Sequence, residues 1–350
     1  MSVVRASASI LTLLIAFAVR VQSQANLPAP EASPAASVTQ TIGITEVTVT
    51  YHRPGAKGRT IWGGVVPYDQ VWRAGANENT TIRFSGPVRF GGANVAEGTY
   101  GLHMIPSKGE FTVILSKNST SWGSYFYTKA EDALRVQIKP RQAAFHEWLS
   151  YRFEALTESS ATLSLSWGEL EVPMLIEVDV PSSVIRQARE VYLRGPAGFG
   201  WQGYYQAANY CAMKGVNLEE AMSWADLSIQ ANRNFSNLWT KGLLHEKMGK
   251  PSEGKKTKEE ALSLADEAEV NALGYQYLTG GSVQEALTLF TINVQKHPES
   301  WNAYDSLGEG YAVAGKTALA IENYSKALSM VSDEAQKSRI QQVLTALKAK

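Results

Sequence analysis

The sequence predicts a two-domain protein, β plus α, with an N-terminal antiparallel β-sandwich or jelly-roll-like domain and a C-terminal array of helical repeats. Three observations support this prediction. The chain has 350 residues, more than one ordinary domain holds. Residues 38–179 alternate between apolar and polar side chains, which is typical of half-buried strands. Beyond Pro181 the apolar period changes to about 3.6 residues, which indicates amphipathic helices.

The composition is that of a globular protein without a strong charge. Hydrophobic residues make up 44% of the chain and charged residues 19%, and 33 basic side chains balance 33 acidic ones. Nucleic-acid binding needs an excess of basic side chains, so this balance argues against a nucleic-acid partner. The single cysteine, Cys211, excludes an intrachain disulfide.

The N-terminus has the pattern of an export signal. Arg5 precedes an apolar run from Ile10 to Val19, and Ser23-Gln24-Ala25 fits a small-x-small cleavage site. The run is too short to span a bilayer as a helix. We therefore expect residues 1–25 to be a signal peptide and the mature protein to be periplasmic or secreted, without a stable membrane span. The alternative is an uncleaved anchor.

The predicted elements of the first domain follow a tether. Residues 26–37, rich in proline and alanine, are typical of a flexible tether. Residues 38–180 then form the predicted β-domain, in which a turn signal at 106–109 indicates a hairpin. About nine short strands are predicted: 38–42, 46–51, 80–84, 98–105, 111–115, 134–138, 149–156, 161–167 and 171–179. The pattern does not separate a sandwich from a closed barrel.

The segment from Tyr51 to Glu78 interrupts the strands and is the candidate ligand site. It lacks helical or strand periodicity, which is typical of a long ordered loop. Its basic side chains suit anionic groups, and its aromatic side chains offer flat apolar faces. The candidate ligand-binding residues are Arg53, Lys57, Arg59, Trp62, Tyr68, Trp72, Arg73, Asn77 and Glu78. They suit a small anionic or saccharide ligand or a segment of a partner protein.

A structural interpretation of the same loop stays open. A long loop without regular structure needs a core of its own, and Trp62 and Trp72 are suited to anchoring it. The arginines would then donate hydrogen bonds to nearby main-chain carbonyls.

Catalytic motifs are absent from the sequence, which favours a binding protein over an enzyme. No G-x-S-x-G, H-E-x-x-H, P-loop or C-x-x-C pattern occurs, and no cofactor is expected. His52, Glu78 and His103 are weak metal candidates because they could meet across a sheet, but ordinary structural histidines are the preferred interpretation. The alternative function is an envelope or extracellular hydrolase that uses the 51–78 loop and His103.

Helical signals occupy the remainder of the chain. Residues 181–200 predict a connecting helix, capped by Ser182 or Ser183, and a glycine-rich linker. In residues 201–350, Leu273-Gly274 recurs as Leu307-Gly308 after 34 residues. This spacing, with small residues at helix crossings and aromatics between hairpins, is typical of the tetratricopeptide (TPR) repeat.

The helical array is the candidate protein-binding part. In such arrays the first helix of each hairpin lines a concave face, which suits an extended peptide. The groove candidates are Trp239, Asn271, Tyr275, Asn302, Asp305 and Glu309. A last helix, Asp333 to Lys348, is charged on one side, as is typical of the polar helix that caps such an array. A short array that only supports the β-domain, or a pure TPR scaffold, is the alternative.

One long pattern connects the first domain to a known family. The segment 51–78 reads YxRPxxKGRxIWGxxVPYxxVWRxGANE, and with its flanks, residues 37–85, it resembles the bacterial DUF2911 family of exported proteins. The segments GTYGLHMIP (98–106), TVILSK (112–117) and SWGSYFY (121–127) are similar to later parts of that family. The resemblance covers roughly residues 36–180. It implies an exported β-domain, often followed by a TPR tail, and no defined activity. His52 stands where the family commonly has another polar residue, which weakens the metal interpretation.

Overall fold

A computed structural model describes residues 29–349, in which ten strands precede ten helices. The predicted signal peptide, residues 1–25, lies outside the described residues. Strand β1 begins at Ala35, within the stretch predicted to be tether, because Ala35 to Ser37 pair with the end of β2. The tether prediction is therefore wrong for residues 35–37.

The larger sheet has six antiparallel strands. They are β1 (Ala35–Ile42), β2 (Thr45–His52), β3 (Thr81–Phe84), β6 (Gly98–Ile105), β7 (Phe111–Ser116) and β8 (Asp132–Ile138). Their order in the sheet is β1-β2-β3-β6-β7-β8, and the hairpin predicted at 106–109 joins β6 to β7.

The smaller sheet has four antiparallel strands in the order β5-β4-β10-β9. They are β4 (Val88–Phe90), β5 (Ala93–Val95), β9 (Arg141–Glu154) and β10 (Ser160–Glu177). The sequence does not predict β4 and β5, because three residues are too few for an alternating pattern. The sequence also predicts two strands, 161–167 and 171–179, where the structure has the single strand β10. This strand continues through a register shift at Gly168, whose φ is +60°.

One apolar cluster includes residues of both sheets. Val49 and Leu102 of the larger sheet and Leu163 and Trp167 of the smaller sheet belong to it, and all are buried. The structure therefore confirms an antiparallel β-domain with a shared core. The finer description as a sandwich or jelly roll stays a prediction.

Helix α1 (Val180–Glu190) leaves the β-domain and joins it to the other helices. Its N-cap is Asp179, whose carboxylate accepts a hydrogen bond of 3.1 Å from Ser182 N, so the predicted serine cap is wrong. The helix ends before two short 3-10 turns, Tyr192–Arg194 and Pro196–Phe199. Val180 packs against the β-core, whereas Ala188 belongs to the helical core.

The other helices form consecutive hairpins. They are α2 (Trp201–Lys214), α3 (Leu218–Ala231), α4 (Phe235–Lys247), α5 (Pro251–Leu264), α6 (Glu267–Thr279), α7 (Val283–Lys296), α8 (Trp301–Val313), α9 (Thr317–Met330) and α10 (Glu334–Lys348). A Cβ on Gly274 would lie 2.4 Å from the ring of Phe290, so α6 and α7 cross where the repeat places a glycine. None of the described helices has the length and apolar character needed to cross a bilayer.

Candidate functional site

The two tryptophans of the 51–78 loop fix it to the β-core. Trp72 exchanges two main-chain hydrogen bonds of 2.8 Å with Met104, and its Nε1 donates to the carbonyl of Gly75 at 3.1 Å. The ring of Trp62 meets Phe111 edge to face, at a centroid distance of 5.2 Å, and also contacts Trp72 and Trp167. Both indoles are half-buried and act as anchors.

Two arginines of the loop donate to main-chain carbonyls. Arg53 Nε donates to the carbonyl of Leu149 at 2.9 Å. Arg59 donates to the carbonyls of Gly55, at 2.7 Å, and Ala56, at 3.1 Å. These are the contacts that the structural interpretation of the loop expects. Lys57 is exposed and lies 6.0 Å from the ring centroid of Trp148.

The remaining loop candidates also hold the chain in place. Tyr68 lies across the Gly63 turn, where φ is +82° and a Cβ would lie 2.7 Å from the tyrosine ring. Asn77 Nδ2 donates to the carbonyl of Ser33 at 3.4 Å. Glu78 lies 3.3 Å from His52 Nδ1. The contact of Asn77 attaches the end of the loop to the segment before β1, and that of Glu78 attaches it to the end of β2.

The three weak metal candidates do not meet. His52 lies between Glu78 and Glu31, the latter at 3.5 Å, whereas His103 Nδ1 faces Ser124. In residues 29–349, no group of three His, Cys, Asp or Glu side chains is arranged to hold a metal ion. His52, Glu78 and His103, the weak metal candidates, are therefore not brought together as one group in these residues. The reason is that β3, between β2 and β6, separates the two histidines.

Arg73 belongs to a different cluster, which the sequence does not identify. It meets the segment of residues 117–131, which we call the aromatic loop. A Cβ on Gly123, whose φ is +59°, would lie 2.6 Å from Arg73 Nη1, so the guanidinium lies directly against the glycine backbone. Arg73 also lies 5.6 Å from the ring centroid of Tyr125 and donates to the carbonyl of Asn77.

The buried side chain of His103 contacts the aromatic loop. His103 is 2% exposed, and its Nδ1 lies 2.8 Å from Ser124 Oγ. Burial is the main cause that lowers the pKa of His103, the charge of Asp132 opposes it and that of Arg73 adds to it, and the net pKa is about 4. The imidazole is therefore neutral near pH 7. An imidazole with so low a pKa is also a weak general base, which argues against the hydrolase alternative at this residue.

Three aromatic side chains of this loop are exposed to solvent. The exposed fractions are 53% for Trp122, 77% for Tyr125 and 70% for Phe126. Of these side chains, that of Tyr125 lies beside the guanidinium of Arg73, so an exposed aromatic ring adjoins a positive charge. The signal in the sequence is the density of aromatics in SWGSYFY. Their exposure cannot be read from that pattern, because buried strands are equally rich in aromatics.

A second charged cluster lies between β9 and β10, and its acidic and basic side chains pair with one another. The side chain of Glu171 is 3% exposed and pairs with Arg141 and Arg152. Burial alone would raise the pKa of Glu171, but hydrogen bonds from both arginines outweigh it and lower the pKa. Glu154 completes the network by binding the same two arginines. Its internal pairing indicates a structural role.

The candidates in the helical array lie on the first helices of successive hairpins. Trp239 is 4% exposed and lies in the helical core, with Lys258 Nζ 4.8 Å from its ring centroid, so it does not line an open face. The others occupy α6 and α8. Tyr275 donates from its hydroxyl to Glu309 Oε2 at 2.8 Å, which joins the two helices. Burial raises the pKa of Tyr275 to about 12, so this donor is retained.

Asn271 and Asp305 occupy equivalent positions 34 residues apart. Asp305 Oδ2 accepts a hydrogen bond of 2.7 Å from Arg339, which lies a further 34 residues along, on α10. Asn302 Nδ2 lies 3.4 Å from Glu267 Oε1. Within the described residues, Asn271 Oδ1 and Asp305 Oδ1 are buried and have no hydrogen-bond partner. The structure thus brings five of the six groove candidates onto one pair of helices.

Comparison with protein families gives one match. Residues 33–176 match the family described as "Protein of unknown function (DUF2911)", which confirms the resemblance for this part of the chain. No curated protein matches the sequence.

Three of the solved structures similar to part of the chain each have a TM-score of 0.25. MamA from Desulfovibrio magneticus RS-1 is 18% identical, covering 44% of this chain and 85% of its own. YrrB, described as a TPR protein with an unusual peptide-binding site, is 20% identical, covering 46% and 86%. PilF of Pseudomonas aeruginosa is 16% identical, covering 44% and 69%. The TPR-like assignment rests on the spacing and packing of the helices themselves.

Proposed function

We propose that this chain, which carries a DUF2911 domain followed by a TPR-like helical array, is an exported interaction protein that holds a segment of a partner protein. The segment would lie on the face lined by α6 and α8, which we call the α6–α8 face. The observation that carries the proposal is the pair of buried, unpartnered acceptors on that face, Asn271 Oδ1 and Asp305 Oδ1. An unsatisfied buried polar atom costs about 1–3 kcal/mol, which a partner's N–H groups would offset.

The α6–α8 face is held in shape before any partner binds. The Tyr275–Glu309 hydrogen bond joins α6 to α8, and the Arg339–Asp305 pair joins α8 to α10. Fixing side chains in advance lowers the entropy lost on binding. An extended peptide offers main-chain N–H groups at regular intervals, which suits acceptors repeated along an array.

Export is part of the proposal and rests on the N-terminal sequence. The charged residue, the apolar run and the small-x-small site in residues 5–25 support a cleaved signal. Intact-mass measurement of protein purified from the cell envelope or medium tests it. A mature protein that begins after Ala25 would support export, whereas a chain retaining residues 1–25 would contradict cleavage.

Peptide display on the full chain tests binding at the α6–α8 face. Peptides selected on the wild type should lose binding, by roughly tenfold or more, when Asn271→Ala and Asn302→Ala are combined. The control is Gln284→Ala with Gln295→Ala, which removes two exposed amides from α7. Equal binding by both double variants would contradict the proposed face and leave the array as a support for the β-domain.

A second candidate function is ligand binding by the β-domain at Arg73 and the aromatic loop. The observation that favours it is the exposed Tyr125 ring beside the Arg73 guanidinium. Thermal-shift screening against saccharides and organic anions tests it. A ligand bound there should lose its stabilising shift in Tyr125→Ala and keep it in Phe145→Ala, which removes an exposed aromatic from β9. A shift that survives in both variants would place the ligand elsewhere.

A further inference from the structure

We infer that the partner segment held on the α6–α8 face is basic and presents lysine or arginine side chains to these two helices. This inference rests on the proposed function and adds the chemistry of the partner. It is carried by the charge of the two helices, by an unpaired carboxylate oxygen and by the way the chain fills one position of the face itself.

The two helices of the α6–α8 face carry acidic side chains and no basic ones, although the guanidinium of Arg339 on α10 reaches Asp305. Helices α6 and α8 contain Glu267, Glu269, Asp305 and Glu309, and neither helix contains a lysine or arginine. The chain as a whole has equal numbers of acidic and basic side chains, so this is a local departure. A segment with positive charge is the complementary partner.

Two of these carboxylates have only neutral partners. Glu309 accepts from the Tyr275 hydroxyl, and Glu267 accepts from Ser300 Oγ at 2.5 Å. No salt bridge to either is formed among residues 29–349. Both side chains are half-buried, so solvent screens their charge less than at an open surface. A cation brought to them would gain more than it would from an exposed carboxylate.

Asp305 is the independent indication of a ligand. Its side chain is 8% exposed, and one carboxylate oxygen is bound by Arg339 while Oδ1 has no partner. A carboxylate accepts hydrogen bonds at both oxygens, and charged acceptors gain most from charged donors. The free oxygen therefore suits a further N–H group from a basic side chain.

The chain itself shows what one position of this face accepts. Residues 271, 305 and 339 are equivalent positions of three successive first helices. At the last of them, Arg339 places its guanidinium on Asp305 of the preceding helix. Asn271, one repeat earlier, has no arginine bound to it among the described residues, and its buried Oδ1 has no hydrogen-bond partner. A basic side chain from a partner would bind Asn271 of α6 in the way that Arg339 of α10 binds Asp305 of α8.

Fluorescence anisotropy with the full chain tests the inference. The probes are three labelled extended peptides that differ only in charge: lysine- and arginine-bearing, neutral, and acidic. We expect the basic peptide to bind at least about tenfold more tightly than the acidic one at low salt, with the difference falling as salt rises. Glu309→Gln should weaken the basic peptide by roughly three- to tenfold.

The variants are chosen to fold. The glutamine Oε1 in Glu309→Gln still accepts the Tyr275 hydrogen bond. The matched control, Glu322→Gln, removes the same charge from an exposed site on α9 and should leave binding unchanged. Neutral or acidic peptides that bind as tightly, and depend on Asn271 and Asn302, would overturn the basic partner but keep the proposed function. Binding that neither the charge of the peptide nor these variants alter would overturn both.

Discussion

The neutral state of His103 makes the stability of the β-domain depend on pH. In the folded protein burial lowers its pKa to about 4, whereas an unfolded histidine has a pKa of about 6.5. The unfolded chain therefore binds more protons between these values, and stability falls as pH drops from about 6.5 to 4. Over that window the loss attributable to His103 is at most about 3 kcal/mol.

Thermal unfolding at a series of pH values measures this effect. The wild type should lose melting temperature steeply below about pH 6.5. His103→Gln, whose amide can still bond Ser124, should show a shallower decline over the same window. Parallel curves for the two proteins would mean that His103 is not the group responsible.

Cys211 is expected to be unreactive in the folded protein. It is fully buried in the helical core, and burial raises the pKa of its thiol to about 11. The thiolate is the nucleophile, so burial and the raised pKa both lower the reactivity of the thiol. Titration with a thiol reagent at pH 8 should show no reaction without denaturant and one equivalent in guanidinium chloride. Prompt reaction of the native protein would show that the helical core opens.

At the scale of elements, Gly274 tests the helix crossing. Gly→Ala inside a helix ordinarily stabilises by roughly 1 kcal/mol. Here a Cβ would lie 2.4 Å from the buried ring of Phe290, so we expect Gly274→Ala to destabilise by about 1–3 kcal/mol instead. Urea unfolding measures the change. The control is Gln276→Ala, which alters an exposed position of the same helix. A stabilised Gly274→Ala would contradict the close crossing of α6 and α7.

The sequence predicts the elements whose physical signal is local. The strands 98–105 and 111–115 flank a turn signal at 106–109, and the 34-residue repeat reflects packing that recurs at each hairpin, so both are confirmed. It does not predict β4 and β5, because each has only three residues; β5 pairs with β4, and β4 pairs with β10, which is distant in sequence. The separation of His52 from His103 likewise depends on which strand lies between β2 and β6.

The candidate sites show the same limit. The sequence identifies the arginines and tryptophans of residues 51–78 by composition, but composition does not say whether a guanidinium meets a ligand or a carbonyl. Arg53 and Arg59 bind carbonyls, whereas Arg73 binds a carbonyl and also reaches the aromatic loop, which is distant in sequence. The groove candidates on α6 and α8 lie on neighbouring helices, as expected, because a repeat fixes the direction in which each position faces. Their role in binding stays a prediction.

For the whole molecule, the separation of the β-core from the helical clusters predicts two unfolding transitions. One apolar cluster lies within the β-domain, and the helices hold a second in α1–α8 and a third in α9–α10. Tyr311 packs against both helical clusters and joins them. A direct ionic link between the two parts is Arg186 to Glu97 at 2.9 Å, whose half-exposed side chains contribute little. Hydrogen exchange followed by mass spectrometry should show the strands and helices exchanging as two groups. Ile185→Ala, which shortens a side chain packed on the helical core, should hasten only the helices. Uniform exchange would indicate one cooperative unit.

Helix α1 sets a limit on how the protein can be divided. Its first residue, Val180, completes the β-core, and Ala188, two turns on, completes the helical one. A truncation before Val180 would remove packing from the β fragment, and a truncation after Glu190 would remove it from the helical fragment. Expression of separate halves therefore requires overlapping boundaries, in which each fragment keeps its own copy of this helix.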